Sequence, residues 1–221
     1  MRTELTIEAS ADRSPRIRSV GGLSGRLTGP DTVHMIGTAA TPLGGDEMSI
    51  RIVVGAGARL TVRSVAASVA LPGGAEVESS AEWLFVVDEG GVLVFDPEPM
   101  IVAGNAVHRT LTDIAFAADA TVDYRERVQI GRAGEHAGRW HGTMRTDIGG
   151  VPHLRHRVEL GAGTVGHDAI SAPMALCSSV MFPDTRVAAA VGSSAVRMPL
   201  AGGGTLTTST GPRLDALPLL S

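Results

Sequence analysis

The sequence predicts an all-β single domain of stacked hairpins, and three observations carry that prediction. The first is a repeated motif: Ile50 onward reads IRIVVGAGARLTV, Leu84 onward LFVVDEGGVLVF, Ile114 onward IAFAADATVDYRERVQIGRAGE and Arg157 onward RVELGAGTVGHD. In each copy apolar alternation runs into a short Gly, Ala or acidic turn and out again, as β-branched strands do when joined at residues that tolerate positive φ. The second is that 28 glycines and 12 prolines are spread along the chain rather than gathered in a linker, which suits a turn-rich β protein. The third is length. At 221 residues, with no linker breaking the series, the chain fits one β domain spanning residues 1–221.

In chain order, Met1 to Arg18 are polar and charge-mixed and read as a short edge strand or a frayed tail. Val33 to Ile36 form a short apolar run, and TPLGGDE follows, where Gly44 and Gly45 permit an unusual backbone and Asp46 and Glu47 begin the next strand. Ile50 to Val54 and Arg59 to Arg63 read as the first hairpin, with Ile52, Val54, Leu60 and Val62 facing inward. Trp83 to Val87 and Gly91 to Phe95 read as the second. The corner Asp96-Pro97-Glu98-Pro99 is stiff, because each proline excludes helix for the residue before it and bars the segment from a central strand. Val107 to Phe116 and Ala120 to Ile130 read as the third hairpin. Glu126 there shares a face with Tyr124 and Val128, so its carboxylate is paired or lines a polar cavity, since an unpaired buried charge is costly.

Beyond GRAGE, two further strands are expected about the turn Asp147-Ile148-Gly149-Gly150. Short helices are expected within Gly163 to Cys177 and from Pro183 to Ala190, with Asp184 as a cap. Ala201 to Thr210 reads as a last Thr-rich strand, and residues 212–221 as a tail that hangs off the fold or docks late.

Composition narrows the functions. With 43% hydrophobic residues and only 3% aromatic, the core has to come from Val, Leu, Ile and Ala. Net charge is −4 and every basic residue is Arg. The absence of Lys removes the P-loop, and the lack of a basic stripe or a stacking platform argues against nucleic acid. Cys177, the lone cysteine, has no disulfide or CxxC partner and reads as a small buried hydrophobe. No apolar run reaches membrane-spanning length and the N-terminus has no signal-like h-region, so a cytoplasmic protein is expected, with no membrane partner.

His153 and His156 sit three apart, which on a regular strand puts them on opposite faces. Neither HxH nor HExxH occurs, and no GxSxG elbow precedes a helix. Two readings from the residues stay open beside the one below: a small metal-dependent β enzyme using His153, His156 and a carboxylate, or a plain β binding module.

Three stretches resemble the urease accessory protein family UreD (UreH in some organisms): TPLGGDEMSIRIVVGAGARLTVRSVAA, LVFDPEPMIVAGNAVHRTLTDIAFAADATVDYRERVQIGRAGE and GVPHLRHRVEL, together covering about Gly22 to Leu160. The specific features are the Gly44-Gly45-Asp46 strand start, the Pro97-x-Pro99 corner, and the spacing of Glu126, Gly131, Arg132, Gly134 and Glu135. The resemblance implies an all-β, β-helix-like two-layer arrangement with a few short helices toward the C-terminus. It implies a non-enzymatic chaperone that binds apo-urease and, with UreF and the GTPase UreG, scaffolds nickel delivery, and it admits a dimer of the accessory complex. No tightly bound cofactor is expected, only nickel in transit. Nickel in transit needs weak O or N ligands rather than a thiolate cage; on that ground Asp46, Glu126 and Glu135 are candidates to line a path, with Arg132 holding the GRAGE turn or pairing Glu135.

Overall fold

The computed structural model describes residues 1–164, 167 and 171–218. These residues form eighteen strands: β1 Arg2–Ser10, β2 Arg13–Val20, β3 Leu23–Leu27, β4 Thr32–Gly37, β5 Glu47–Val54, β6 Arg59–Ser64, β7 Ser68–Ala70, β8 Glu78–Val87, β9 Val92–Phe95, β10 Met100–Val102, β11 Val107–Phe116, β12 Thr121–Ile130, β13 Arg139–Ile148, β14 Val151–Leu160, β15 Ala175–Phe182, β16 Ala189–Val191, β17 Ala195–Pro199 and β18 Thr205–Gly211. They build two facing sheets. One has the order β14-β13-β11-β8-β5-β1-β2; the other runs β16-β17-β18-β15-β12-β9-β6-β4-β3, with the short pair β7-β10 joining β12 at its side.

The middle of the fold is a β-solenoid. The pairs β1/β5, β5/β8, β8/β11 and β11/β13 are parallel, as are β4/β6, β6/β9 and the first half of β9/β12. Each coil therefore climbs one sheet, turns and crosses the other, and the β5-β6 and β8-β9 coils pass through β7 and β10 respectively before the next begins.

The three hairpins expected from the repeats are corrected by this topology. β5 and β6 lie in different sheets, as do β8 and β9, and β11 and β12. The repeated turns are equivalent corners: Ala58 N–H donates to Gly55 O, Gly91 N–H to Asp88 O and Ala120 N–H to Ala117 O. They also stack coil upon coil, through Val92 N–H to Ala58 O and Thr121 N–H to Gly91 O. At the first two corners the third residue has positive φ, Gly57 at 63° and Gly90 at 62°. A two-residue hairpin turn of type I′ needs two such residues in succession. The Gly149-Gly150 turn has them, at 55° and 82°, and there β13 and β14 do pair antiparallel, as the sequence leads one to expect.

Inward and outward faces follow the alternation. Ile52, Val54, Leu60 and Val62 are fully buried between the sheets, each removing apolar surface worth about 1.5–3 kcal/mol. The chain start also departs from expectation. β1 lies between β2 and β5 with Leu5 and Ile7 buried, and the Pro15-containing, Arg-rich β2 takes the edge instead. Proline and charge on an edge strand discourage further pairing, so β2 is the better guard.

Helices are scarcer than expected. Among the described residues one 3₁₀ turn, Leu214–Ala216, is helical. Ala175 to Cys177 begins β15, while residues 165–166 and 168–170 of the first expected helix lie outside the described residues. Ala189–Val191 is strand β16. Asp184 caps no helix; its carboxylate is taken by the Arg186 N–H and guanidinium and by the Thr205 hydroxyl. The tail docks through Leu214 N–H to Gln129 Oε1 at 3.1 Å.

Candidate functional site: a cavity between the sheets

The interior is not packed throughout. One apolar cluster runs from Leu5 and Ile7 through Phe85 and Phe116, and a second gathers Val102, Ile130, Trp140, Leu160 and Leu176. Between them lies a cavity of about 450 Å³.

The Asp96-Pro97-Glu98-Pro99 corner explains why it opens to the outside. β12 pairs with β9 over Thr121–Tyr124 and with β10 over Val128–Ile130, but Arg125, Glu126 and Arg127 have ladder partners only on the β15 side. The prolines push the chain out of the sheet at that level. Arg127 ties the displaced corner back, donating to Asp96 Oδ1 and to Pro97 O at 2.5 and 2.6 Å. Exposed lining residues Ala39, Ala40, Val65, Ala67 and Glu98 mark the mouth.

The floor carries rings. Seven aromatics are present in the chain, and four of them, Trp83, Phe85, Phe95 and Tyr124, contact one another with centroids 4.9–6.2 Å apart. Rigid rings at one level keep a large void from collapsing, whereas aliphatic chains fill most of the remaining core.

Glu126 is on the inner face with Tyr124 and Val128, as alternation predicts, and lines this cavity. Burial pushes its carboxyl up to about 7, so near neutral pH it exchanges between acid and carboxylate. It also borders a second space of about 10 Å³, shared with Trp140, Met144, His156 and Ser178, which is on the order of one water molecule. Glu126 thus stands between a wide chamber and a narrow pocket. Ser178 is its cross-strand neighbour, and the Ser178 hydroxyl is buried without a protein partner.

Asp46 and Glu135 are placed elsewhere, and the structure does not bring the three carboxylates together. The buried Asp46 accepts from the Met1 ammonium, from the Thr41 hydroxyl at 2.8 Å and from Leu43 N–H at 2.9 Å. Burial raises its pKa, but those donors outweigh burial and leave it lowered. It fixes the loop that carries Thr41 to the cavity rim. Glu135 pairs with the Arg132 guanidinium and accepts Gly104 N–H at 2.9 Å and Arg132 N–H at 3.1 Å, which holds its carboxyl near about 2. Arg132 has both roles expected of it, holding the turn by pairing Glu135.

The motif glycines are structural for the same reason. A Cβ on Gly44 would lie 1.8 Å from Glu76 O, and Gly45 and Gly134 have φ of 85° and 80°.

The histidines take positions that strict alternation does not give. A bulge shifts the β13/β14 register between Thr146 and Asp147, and the extra residue turns His153 inward. Its Nε2–H donates to Gly203 O and its Nδ1 accepts from the Thr146 hydroxyl, both at 2.8 Å, with Phe116 and Phe182 against the ring. His156 instead borders the narrow pocket beside Glu126. The two do not share a site, and among the described residues no three His, Cys, Asp or Glu side chains converge. Burial pushes the Cys177 thiol up, away from reactive thiolate.

Three cavity groups escape a motif search: His108, Thr110 and Ser178. The signal that finds them is parity. His108, Thr110 and Thr112 occupy the same alternate positions as Ile114 and Phe116, so polar residues fall where the core face runs.

Fold and cavity together define a β-solenoid scaffold enclosing a polar chamber. The model of the UreD urease accessory protein family matches residues 25–206, well past Leu160, where the motif resemblance ends. Urease accessory protein UreD of Parafrankia sp. (strain EAN1pec) is 38% identical, the match covering 91% of this chain and 75% of the relative. UreD 1 of Saccharopolyspora erythraea is 35% identical over 85% of this chain and 75% of its own length, and UreD of Streptomyces avermitilis 34% over 84% and 76%. The chain belongs to the UreD family of urease accessory proteins. It is a chaperone-type protein serving urease maturation, not a catalyst. Among the described residues no helix is long and apolar enough to cross a membrane.

Proposed function

We propose that this protein binds apo-urease and, with UreF and the GTPase UreG, scaffolds nickel delivery in the cytoplasm, the metal passing through the cavity beside Glu126. The observation that supports this reading is the placement of the Glu126 carboxylate on the wall of a chamber with an open mouth, where Glu98 is the other lining carboxylate and Arg125 and Arg127 also border the space. A sparse set of oxygen donors suits cargo. It holds a hydrated divalent ion weakly enough to release it, where several carboxylates or thiolates would trap it. The neutral acid form, favoured by burial, lets the chamber stand without a counter-ion, and a cation displaces the proton on arrival. In this reading Asp46 and Glu135 act on the path indirectly, by holding the rim loop and the GRAGE turn.

Blocking the mouth tests the reading without touching Glu126. Ala67 is exposed and lines the opening, so Ala67→Trp leaves the core unaltered. The variant is expected to be recovered with UreF, UreG and urease in normal yield, and the urease recovered with it to hold several-fold less nickel by mass spectrometry. Normal nickel content would sink the cavity as the path, and loss of the partners would move Ala67 to a docking surface.

A further inference from the structure

The surface beside the cavity mouth carries charge that the fold does not use. On the outer face of the sheet that holds β3, β4 and β6, Arg26 lies opposite His34, and His34 lies beside Arg63. Their strand neighbours Gly25, Val33, Met35 and Val62 are buried, so alternation turns these three side chains outward. Strands about 4.8 Å apart put the three within about 10 Å of one another. Asp96 comes next to Arg63, its N–H donating to Val62 O at 3.0 Å, but its carboxylate is already taken by Arg127 and Arg125. His34 Nδ1 is 2.7 Å from the Thr28 hydroxyl. Arg26 and Arg63 are exposed and have no ion-pair partner among the described residues. In a chain of net charge −4 this row runs against the overall sign. Just past it the surface turns apolar. Ala39 and Ala40 follow β4, and Val65, Ala66 and Ala67 follow β6; all five are exposed and line the opening, Val65 at 58%. Exposed apolar residues flanked by Arg are what a protein contact is made of, whereas a row this short without an aromatic platform does not suit nucleic acid.

We infer that the Arg26–His34–Arg63 row and the apolar rim beside it are the docking surface for an acidic segment of a protein partner, its carboxylates on Arg26 and Arg63 and an apolar side chain on Val65. This deepens the reading of the cavity as the metal's path, because a partner seated there covers the opening. Guanidinium forks pair with carboxylates through two parallel hydrogen bonds, so the row fixes the segment's position as well as attracting it. The neighbouring charges set where it ends. Glu98 is exposed next along the rim, its N–H on the Ser64 hydroxyl at 2.9 Å, and repels an acidic chain. Arg125 and Arg127 are committed to Asp96. The segment therefore lies over β3, β4 and β6 and stops short of the Asp96-Pro97-Glu98-Pro99 corner.

The test reads docking and nickel separately. The purified full chain is titrated with purified UreF and, in parallel, with apo-urease. Arg26→Glu combined with Arg63→Glu is expected to weaken binding of one of the two about tenfold or more at low salt, since like charges then meet across the contact. The gap is expected to narrow near about 1 M salt, where charges are screened within a few ångströms. Arg26→Lys combined with Arg63→Lys keeps the charge and is expected to keep most of the affinity, which separates a lost attraction from a damaged fold. A readout free of charge reversal is His34→p-benzoylphenylalanine: illuminated in the complex with UreF, UreG and urease, it is expected to crosslink to a partner peptide rich in Asp and Glu. A captured peptide without acidic residues, or one from a second copy of this chain, would overturn the inference. If charge reversal leaves both affinities unchanged while Ala67→Trp still lowers the nickel content of urease, the docking surface falls and the metal path stands. If reversal weakens binding while Ala67→Trp leaves nickel normal, the docking surface stands and the path falls.

Discussion

Glu126→Gln is expected to unfold at higher denaturant than the unchanged protein at pH 8, by about 2 kcal/mol, and to match it near pH 4. The sign follows from burial. In the folded state the carboxyl is pushed up to about 7 from 4.5, so the unfolded chain ionises first as pH rises. Stability contributed by the acid form is whole below about 4.5, drains away between 4.5 and 7, and is gone above. Glutamine has no proton to lose and keeps its stability throughout. Contact with the cavity keeps the figure at the low end of what the shift implies.

His108 works in the opposite direction. Its pKa falls from 6.5 to about 4, so it costs stability as pH drops through that window, when the unfolded ring protonates and the buried one does not. His156, also lowered by burial, adds to that slope. Between about pH 4.5 and 6.5 the glutamate and histidine slopes oppose each other. Urea titrations should therefore give a flatter stability profile for the unchanged protein than for Glu126→Gln. Parallel profiles for the two would mean that Glu126 is solvated rather than buried in the chamber wall.

The second large effect concerns the turn that follows. Gly131→Ala is expected to destabilise the fold by about 3 kcal/mol or more. Gly131 has φ of 80°, and a Cβ there would lie 2.0 Å from Glu135 O and 2.7 Å from its carbonyl carbon. Backbone cannot yield as a side chain does, so the turn must open and the Glu135 clamp on Gly104 with it. Gly134, three residues on, is the internal control. Its φ is also 80°, but nothing lies within 4 Å of the added carbon, so Gly134→Ala should cost only about 1 kcal/mol, the strain of the backbone region alone. Equal losses in urea unfolding would contradict the close approach seen at Gly131.

These predictions divide the GRAGE stretch by cause. Arg132 and Glu135 spend their charges on each other and on backbone N–H groups, so this segment is architecture. Of the carboxylates in this stretch only Glu126, five residues before the first of its glycines, lines the chamber. Acidic residues in turns and acidic residues on inner faces look alike as letters. Parity within a strand separates them, and it did so for Glu126. The same parity singles out His108 and Thr110 in VHRTLTDIAF and Ser178 in ALCSSVMF, residues that no motif marks.

Alternation reports which face a side chain takes but says nothing about which strand lies beside it. Ile52, Val54, Leu60 and Val62 face inward as read, yet β5 and β6 are in different sheets. The four-residue corners GAGA, DEGG and AADA resemble hairpin turns because both need tight backbone. The consecutive positive-φ glycines at Gly149 and Gly150 mark a true hairpin. β1 was hard to place because its partner β5 begins 45 residues after β1 does, and nothing local encodes a parallel partner at that distance. The cavity, in contrast, has a local cause in the Asp96-Pro97-Glu98-Pro99 corner. Two prolines that cannot enter a central strand leave three residues of β12 unpaired on one side, and the opening follows.

The most direct measurement is the nickel content of urease assembled with Glu126→Gln in place of the unchanged chain, in a complex with UreF and UreG confirmed by size-exclusion chromatography. Glutamine preserves size and fold and removes only the ionisable oxygen. A fully assembled complex that yields nearly nickel-free urease is the predicted result; urease with its normal nickel content would contradict the cavity carboxylate as a step on the metal's path.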